Sequence, residues 1–313
     1  MAIIIVIFAV MVLAGICCFF FAMARAEHKA TFPLRIERNE NTLRDLEVCE
    51  FEGLKCEEVE FAHYKGAFYY KEKGGDVVFL LHGYGAGHKA YATEINFFCD
   101  NGYTVFGFDY SGCCSSGGRT GTFYTAVQDA LTASKFLQTK ISDEQKIYLF
   151  GHSWGAYVAL IVASRTPCEK VVAVCPFDSA GKIMAKICQK NKFDKALKPF
   201  RKIYMTSVFG KNADCSSYKV AEKTDKDTLI IFGENDFLVP PYDFKNEKIK
   251  RIIAKGKGHN PYNTEQAERY LNDCLLQLKT AEDKQEFLKT VDYKKITEED
   301  GEFMRLLLDF LKA

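Results

Sequence analysis

From Met1 to Ala24 no position is charged, and Ile, Val, Phe, Met and Ala fill the run. At about 1.5 Å rise per residue such a helix spans roughly 36 Å, against a hydrocarbon core of about 30 Å. Residues 1–26 are therefore expected to form a single transmembrane anchor. The run is longer than the apolar core of a signal peptide and no basic side chain precedes it. Ala22-Met23-Ala24 and Ala24-Arg25-Ala26 nevertheless offer small-x-small sites for signal cleavage, so a signal segment stays open. Residues 27–46 turn polar and read as a tether, and 47–313 as the folded domain.

Within that domain the periodicity changes. Glu57 to Phe61 and Phe68 to Lys71 are short, strand-like stretches, read as a hairpin at a sheet edge. Val77-Val78-Phe79-Leu80-Leu81 is a continuous apolar run, as expected of a strand buried on both faces. Further strands are predicted over Tyr103 to Tyr110, Ile147 to Phe150, Val171 to Cys175, Thr228 to Phe232 and Arg251 to Ala254. Helical spacing falls between them, over Lys89 to Cys99, Phe123 to Lys140, Gly155 to Ser164 and Thr264 to Lys279. Strands alternating with helices mean an α/β fold, a mostly parallel central sheet with helices on both faces. One stretch breaks the alternation. Residues 178–224 lack an apolar strand but carry helical segments at Ala180 to Cys188 and Asp194 to Lys202. So long a bare loop would be anomalous, so the stretch reads as a small helical cap inserted over the sheet. Beyond Glu282 the stripe Phe303, Leu306, Leu307 and Phe310 reads as a core-packing helix face.

Composition narrows the class. At 48% hydrophobic and 27% charged the chain can bury one full α/β core. A net charge of +1 gives no electrostatic reason to expect a nucleic-acid partner. Arg25 and Lys29 follow the apolar run and nothing basic precedes it, so the basic-residue rule places the domain on the cytoplasmic side; secretion after signal cleavage is the alternative. Twelve cysteines lie scattered without a disulfide framework. Cys49–Cys56 and Cys113–Cys114 are the pairs that remain open. No histidine cluster stands at metal spacing, and Gly83, Gly85 and Gly87 lack the spacing of a phosphate loop, so no metal and no cofactor is expected.

The strongest chemical signal is Gly151-His152-Ser153-Trp154-Gly155 between a strand and a helix. A nucleophile on so sharp a turn needs small neighbours two residues away on each side, and Gly151 and Gly155 supply them. A serine hydroxyl needs a base within about 2.6–3.2 Å. His259, after the last strand, and Asp236, after the strand before it, follow in the order of a Ser-Asp-His triad, each beyond the carboxyl end of its strand. Asp178 and Glu234 are lesser candidates for the acid. His82 and Gly83 read as loop supports. His152 is expected to point away, against a neighbouring strand.

With these motifs the chain resembles the α/β-hydrolase superfamily over Val77 to Leu278, and most of all its membrane-anchored, short-capped serine hydrolases of the monoacylglycerol lipase and serine aminopeptidase kind. His82-Gly83-Tyr84-Gly85 matches the oxyanion loop of such enzymes. Gly107-Phe108-Asp109-Tyr110-Ser111-Gly112 matches a second motif, but Ser111 stands where members usually have Arg, and Cys113-Cys114 replaces a bulky residue. The resemblance implies an oxyanion hole built from the backbone N–H groups of Tyr84 and Trp154, with both side chains free to line an acyl pocket.

The expectation is a serine hydrolase that cleaves carboxylic esters through an acyl-enzyme, acting on a small ester or a membrane-derived monoacyl lipid. An aminopeptidase or amidase of the same fold is the alternative, with Glu222 or Asp178 offered to a substrate amine. A non-catalytic binding protein is the remaining class, against which three triad residues in register argue. Because the triad lies far along the chain, residues 1–26 are expected to be dispensable for hydrolysis of a soluble ester.

Overall fold

A computed structural model describes residues 1–37, 43–44, 46–187 and 193–313. Cys188, the expected end of a helix, lies outside the described residues, as do parts of the expected tether and cap. The chain opens with α1 (Ala2–Thr31), followed by the hairpin β1 (Lys55–Phe61) and β2 (Tyr64–Tyr70). Then come β3 (Val77–Leu81), α2 (Ala92–Asp100), β4 (Thr104–Phe108), α3 (Thr125–Gln138), β5 (Ile147–His152), α4 (Trp154–Val162) and β6 (Lys170–Val174). Among the described residues, the helices α5 (Ala180–Ile187), α6 (Asp194–Phe209) and α7 (Ser217–Ala221) lie between β6 and β7 (Asp227–Gly233). After β8 (Ile249–Ala254) the chain ends in α8 (Glu265–Thr280), α9 (Lys284–Lys289), α10 (Tyr293–Ile296) and α11 (Gly301–Lys312).

The strands form one sheet in the order β1-β2-β4-β3-β5-β6-β7-β8. The hairpin pairs antiparallel within itself and onto β4, and every other pairing is parallel. Period-2 alternation explains why the central strands read as unbroken apolar runs. Val77, Phe79 and Leu81 of β3 face one core layer with α3 and α4, while Val78 and Leu80 face another with α2 and α11. Phe303, Met304, Leu307 and Leu311 of α11 are buried against that second layer, with Leu306 and Phe310 packed beside them. Side-chain caps set the late helices: Thr264 accepts from the Ala267 N–H at 3.1 Å, and Asp300 from the Glu302 N–H at 3.0 Å.

The N-terminal segment departs from the expected plan. α1 does not stop at residue 26 but runs to Thr31, just ahead of Pro33. Its apolar stretch is long enough to cross a membrane, and its most apolar 18-residue window is buried against none of the described residues, though a signal sequence would meet the same test. From Phe20 onward α1 is fixed to α6. Phe20 stacks on Phe200, with ring centroids 5.4 Å apart, and Phe21 meets Tyr204 edge-on. Glu27 takes the Arg201 Nε at 2.7 Å, and Arg201 also reaches Asp194 at 2.6 Å. Among the described residues of the expected tether, several are likewise built in. Phe32 and Ile36 are buried, and Arg44 is enclosed with Glu94 as its ion-pair partner. Long polar side chains look like linker in sequence; here distant partners satisfy them. Neither Cys49 with Cys56 nor Cys113 with Cys114 is joined as a disulfide.

Candidate active site

β5 ends at His152 and α4 begins at Trp154, so Ser153 alone makes the turn. It does so at φ 54°, a conformation few non-glycine residues adopt. Its N–H donates to the Val174 carbonyl at 2.8 Å and its carbonyl accepts from Tyr157 at 3.0 Å, which hold the strained turn in place. The flanking glycines answer to space. A Cβ on Gly151 would overlap the Gly155 carbonyl, and one on Gly155 would overlap the Leu81 carbonyl of β3.

The loops after β7 and β8 bring two further side chains to this turn. His259 Nε2 lies 2.9 Å from Ser153 Oγ, and its Nδ1 lies 2.6 Å from Asp236 Oδ2. With Nδ1–H donating to the carboxylate, Nε2 is left as the acceptor for the serine hydroxyl. Asp236 is buried and its Oδ1 accepts from the N–H groups of Leu238 at 2.8 Å and Val239 at 3.1 Å. Burial alone would raise its pKa, but the hydrogen bond and charge of His259 and these backbone donors more than offset it, so the carboxyl sits below its ordinary value. Cys175 Sγ approaches Asp236 and His259 closely enough to suggest a metal set. Burial drives that thiol far above its ordinary pKa, and both Asp236 oxygens are already engaged, so the group reads as a hydrogen-bonded relay with a thiol neighbour.

The other expected residues are found in several places. Asp178 pairs with Lys182 and Ser216, and Glu222 accepts the backbone N–H groups of Lys245 and Asn246, so neither is among the residues facing the serine. Glu234 accepts the Gly256 N–H at 2.8 Å. His82 is fully buried, donating from Nδ1 to the Gly83 carbonyl at 2.8 Å and accepting the Tyr110 N–H at Nε2, 3.1 Å away. Tyr84 and Trp154 flank the serine, and among the described residues neither backbone N–H meets an acceptor. The Trp154 indole donates to the Phe123 carbonyl at 2.9 Å, and the Tyr84 hydroxyl donates to the Thr31 carbonyl of α1.

His152 turns from the Ser153 hydroxyl, but to loop residues rather than to a neighbouring strand. Its Nε2 donates to the backbone carbonyl of His259 at 2.9 Å, and its Nδ1 accepts the Tyr91 hydroxyl at 3.0 Å, with Tyr262 3.2 Å off. Tyr91 in turn accepts the Gly83 N–H at 2.9 Å, and Arg44 lies over both tyrosine rings. The loop before Tyr84 is thus tied to the loop that carries His259. Nothing in the periodicity marks Tyr91, Tyr262 or Arg44 for this task; only the adjacency of His152 to the serine offered a hint.

Ser153 and His259 open on a cavity of about 550 Å³. Its wall is mostly apolar, with Phe123, Trp154, Phe177, Ile183 and Leu238, and α1 supplies Glu27, Ala30 and Thr31. Glu27 is the single carboxylate among the described lining residues, and Arg201 neutralises it.

A family model described as serine aminopeptidase, S33, of the hydrolases matches residues 73–235. The chain belongs to this family. It is a serine-hydrolase-type enzyme of the α/β-hydrolase superfamily. The matched region holds Gly83, Tyr84 and Ser153 and stops just short of Asp236 and His259. No curated protein sequence matches the chain. Among solved structures it is similar to the esterase Pf2001 of Pyrococcus furiosus, at 21% identity and a TM-score of 0.57, over 75% of this chain and 96% of that one. The α/β hydrolase GrgF from Penicillium sp. sh18 matches at 16% identity and a TM-score of 0.52, over 75% and 98%. At such identities the likeness is one of fold.

Proposed function

We propose that this S33-family chain is a carboxylic ester hydrolase that works through an acyl-enzyme on monoacyl lipid esters, with Ser153 as nucleophile, His259 as base and Asp236 as acid. The observation that carries the reading is the continuous hydrogen-bonded line Ser153–His259–Asp236 at the mouth of an apolar cavity. Ser153 Oγ attacks the ester carbonyl while His259 Nε2 takes its proton; Asp236 holds the imidazole tautomer and stabilises the charged ring. The N–H groups of Tyr84 and Trp154 receive the developing oxyanion, a contribution of about 2.7–4 kcal/mol per donor in one measured protease. His259 then protonates the leaving alcohol, and water repeats the sequence to free the acid and restore Ser153.

Two features favour a lipid over a polar substrate: the greasy cavity wall, and an N-terminal helix whose uncharged stretch, Met1 to Ala24, continues through its last turns into that wall. In this reading α1 is an uncleaved anchor, the domain faces the cytoplasm, and α5–α7 serve as the cap. The family description favours a second reading, an aminopeptidase. Such an enzyme needs an acidic group for the substrate amine, and Asp178 and Glu222 are engaged elsewhere while Glu27 is paired.

A fluorophosphonate probe is expected to label the protein and to fail on Ser153→Ala at unchanged circular dichroism. Labelling of that variant at the rate of the unsubstituted protein removes the assignment. A panel of short and long acyl esters beside aminoacyl and prolyl amides separates the readings. Preference for amides bearing a free amine replaces the esterase by the aminopeptidase.

A further inference from the structure

α1 has two working faces. At about 100° of rotation per residue, Glu27, Ala30 and Thr31 project to one side and Cys18, Phe21, Ala22, Arg25 and Lys29 to the opposite one. The first set lines the catalytic cavity. The second, with Phe200 and Ile203 of α6, lines a separate open groove of about 840 Å³.

This groove changes character along its length. Cys17, Cys18, Phe21 and Ala22 lie in the uncharged part of α1 and, with Phe200 and Ile203, give it an apolar floor. Arg25 and Lys29 then stand one turn apart at its far end. Both are exposed, and neither has an ion-pair partner among the described residues; the nearby Glu27 turns the other way to Arg201. From Cys17 to Lys29 the helix rises roughly 18 Å, close to the depth of about 15 Å of one leaflet's hydrocarbon.

We propose that this groove binds one anionic phospholipid of the surrounding bilayer, an acyl chain along α1 and α6 and the phosphate at Arg25 and Lys29. The proposal rests on the membrane part of the reading above, not on its chemistry. Apolar length matched to a leaflet, and two cations without an ion-pair partner among the described residues, argue for an anionic lipid over a protein segment. Bound there, the lipid fills the wedge between the anchor and α6 and stiffens the wall that α1 lends to the catalytic cavity.

The test uses the full chain with an intact N-terminus in detergent, offered dioleoyl phosphatidylglycerol or dioleoyl phosphatidylcholine and read by native mass spectrometry. One phosphatidylglycerol per chain is expected, retained about tenfold better than phosphatidylcholine. Arg25→Gln with Lys29→Gln is expected to equalise the two lipids. Ile203→Trp, which fills the groove, is expected to lower retention of both. A double variant that keeps the preference, or an Ile203→Trp protein that keeps the lipid, overturns the proposal. Retention needs no turnover, so it is read independently of the catalytic assignment. The lipid must also persist after fluorophosphonate modification of Ser153; its loss on modification would place it in the catalytic cavity and overturn the groove.

Discussion

His152→Gln separates two consequences of the network behind His259. The buried imidazole of His152 is pushed down to about 3, chiefly by burial and then by the charge of His259. Its Nδ1 must stay unprotonated to accept the Tyr91 hydroxyl. In the unfolded chain the same ring titrates near 6.5. Below that value the unfolded state binds a proton that the folded state refuses, so the stability His152 contributes is complete above pH 6.5 and declines as pH falls toward 3. Between pH 7 and pH 5 the loss is about 2 kcal/mol, on a total of about 5–15 kcal/mol for a native protein. The absolute pH trend of the protein is mixed. Buried Glu299, whose pKa is pushed up chiefly by burial and then by the charge of Glu94, pulls the opposite way. The informative quantity is therefore the gap between the unsubstituted protein and the variant. At pH 7 the variant is the less stable, having lost the Tyr91 bond; at pH 5 the gap narrows by about 2 kcal/mol. Urea denaturation at both pH values, followed by circular dichroism in the same detergent, measures it. A gap that is equal at pH 7 and pH 5 would refute the claim that His152 is buried neutral.

Three further outcomes are expected. Asp236→Asn should lower turnover of a soluble ester by about 10⁴-fold, by analogy with the same change in a serine protease triad, whereas Asp178→Asn, already paired with Lys182, should cost little; reversed results in a kcat assay would move the acid to the loop after β6. Gly155→Ala should destabilise the fold by about 3 kcal/mol or more, because the new Cβ meets backbone of β3 that cannot retreat, and denaturation midpoints check this. Removing residues 1–19 should leave hydrolysis of a short-chain ester unchanged, while removing residues 1–31 strips Glu27, Ala30 and Thr31 from the cavity and should lower it by about tenfold or more; equal rates of the two truncated forms would show that α1 only anchors.

The sheet and the serine turn were legible because each rests on a local rule. Val77–Leu81 is one apolar run since both its faces are covered, and the two glycines around Ser153 are dictated by backbone contacts that admit no Cβ. The roles of Arg44, Tyr91 and His152 were not legible, since each is fixed by partners far off in sequence: Arg44 by Glu94, His152 by the His259 carbonyl. The same holds for the extent of α1. Its loss of hydrophobicity after Ala24 resembles the end of a helix, but Ala26, Glu27, Lys29 and Ala30 all favour helix, and the first strong stop is Pro33. A reading weighted by propensity and by that proline would have carried α1 through to Thr31; one weighted by hydropathy ends it at the charge boundary.

That boundary matters because it falls inside a rigid element. A tether after residue 26 would let the domain tumble beneath a membrane, and an anchor would then do no more than raise local concentration. Instead a single helix carries the apolar stretch into the contacts of Phe20, Phe21 and Glu27 with α6, and on to Ala30 and Thr31 in the cavity wall. Under the membrane reading, the direction in which α1 leaves the bilayer also fixes the direction in which the cavity faces. The ion pair between Glu27 and Arg201 belongs to that coupling, since Arg201 is almost wholly enclosed and would lose one of its carboxylate partners, Asp194 of its own helix remaining, if α1 swung away. The cost of separating helix from domain is thus electrostatic as well as apolar, and the end of α1 behaves as part of the cavity wall.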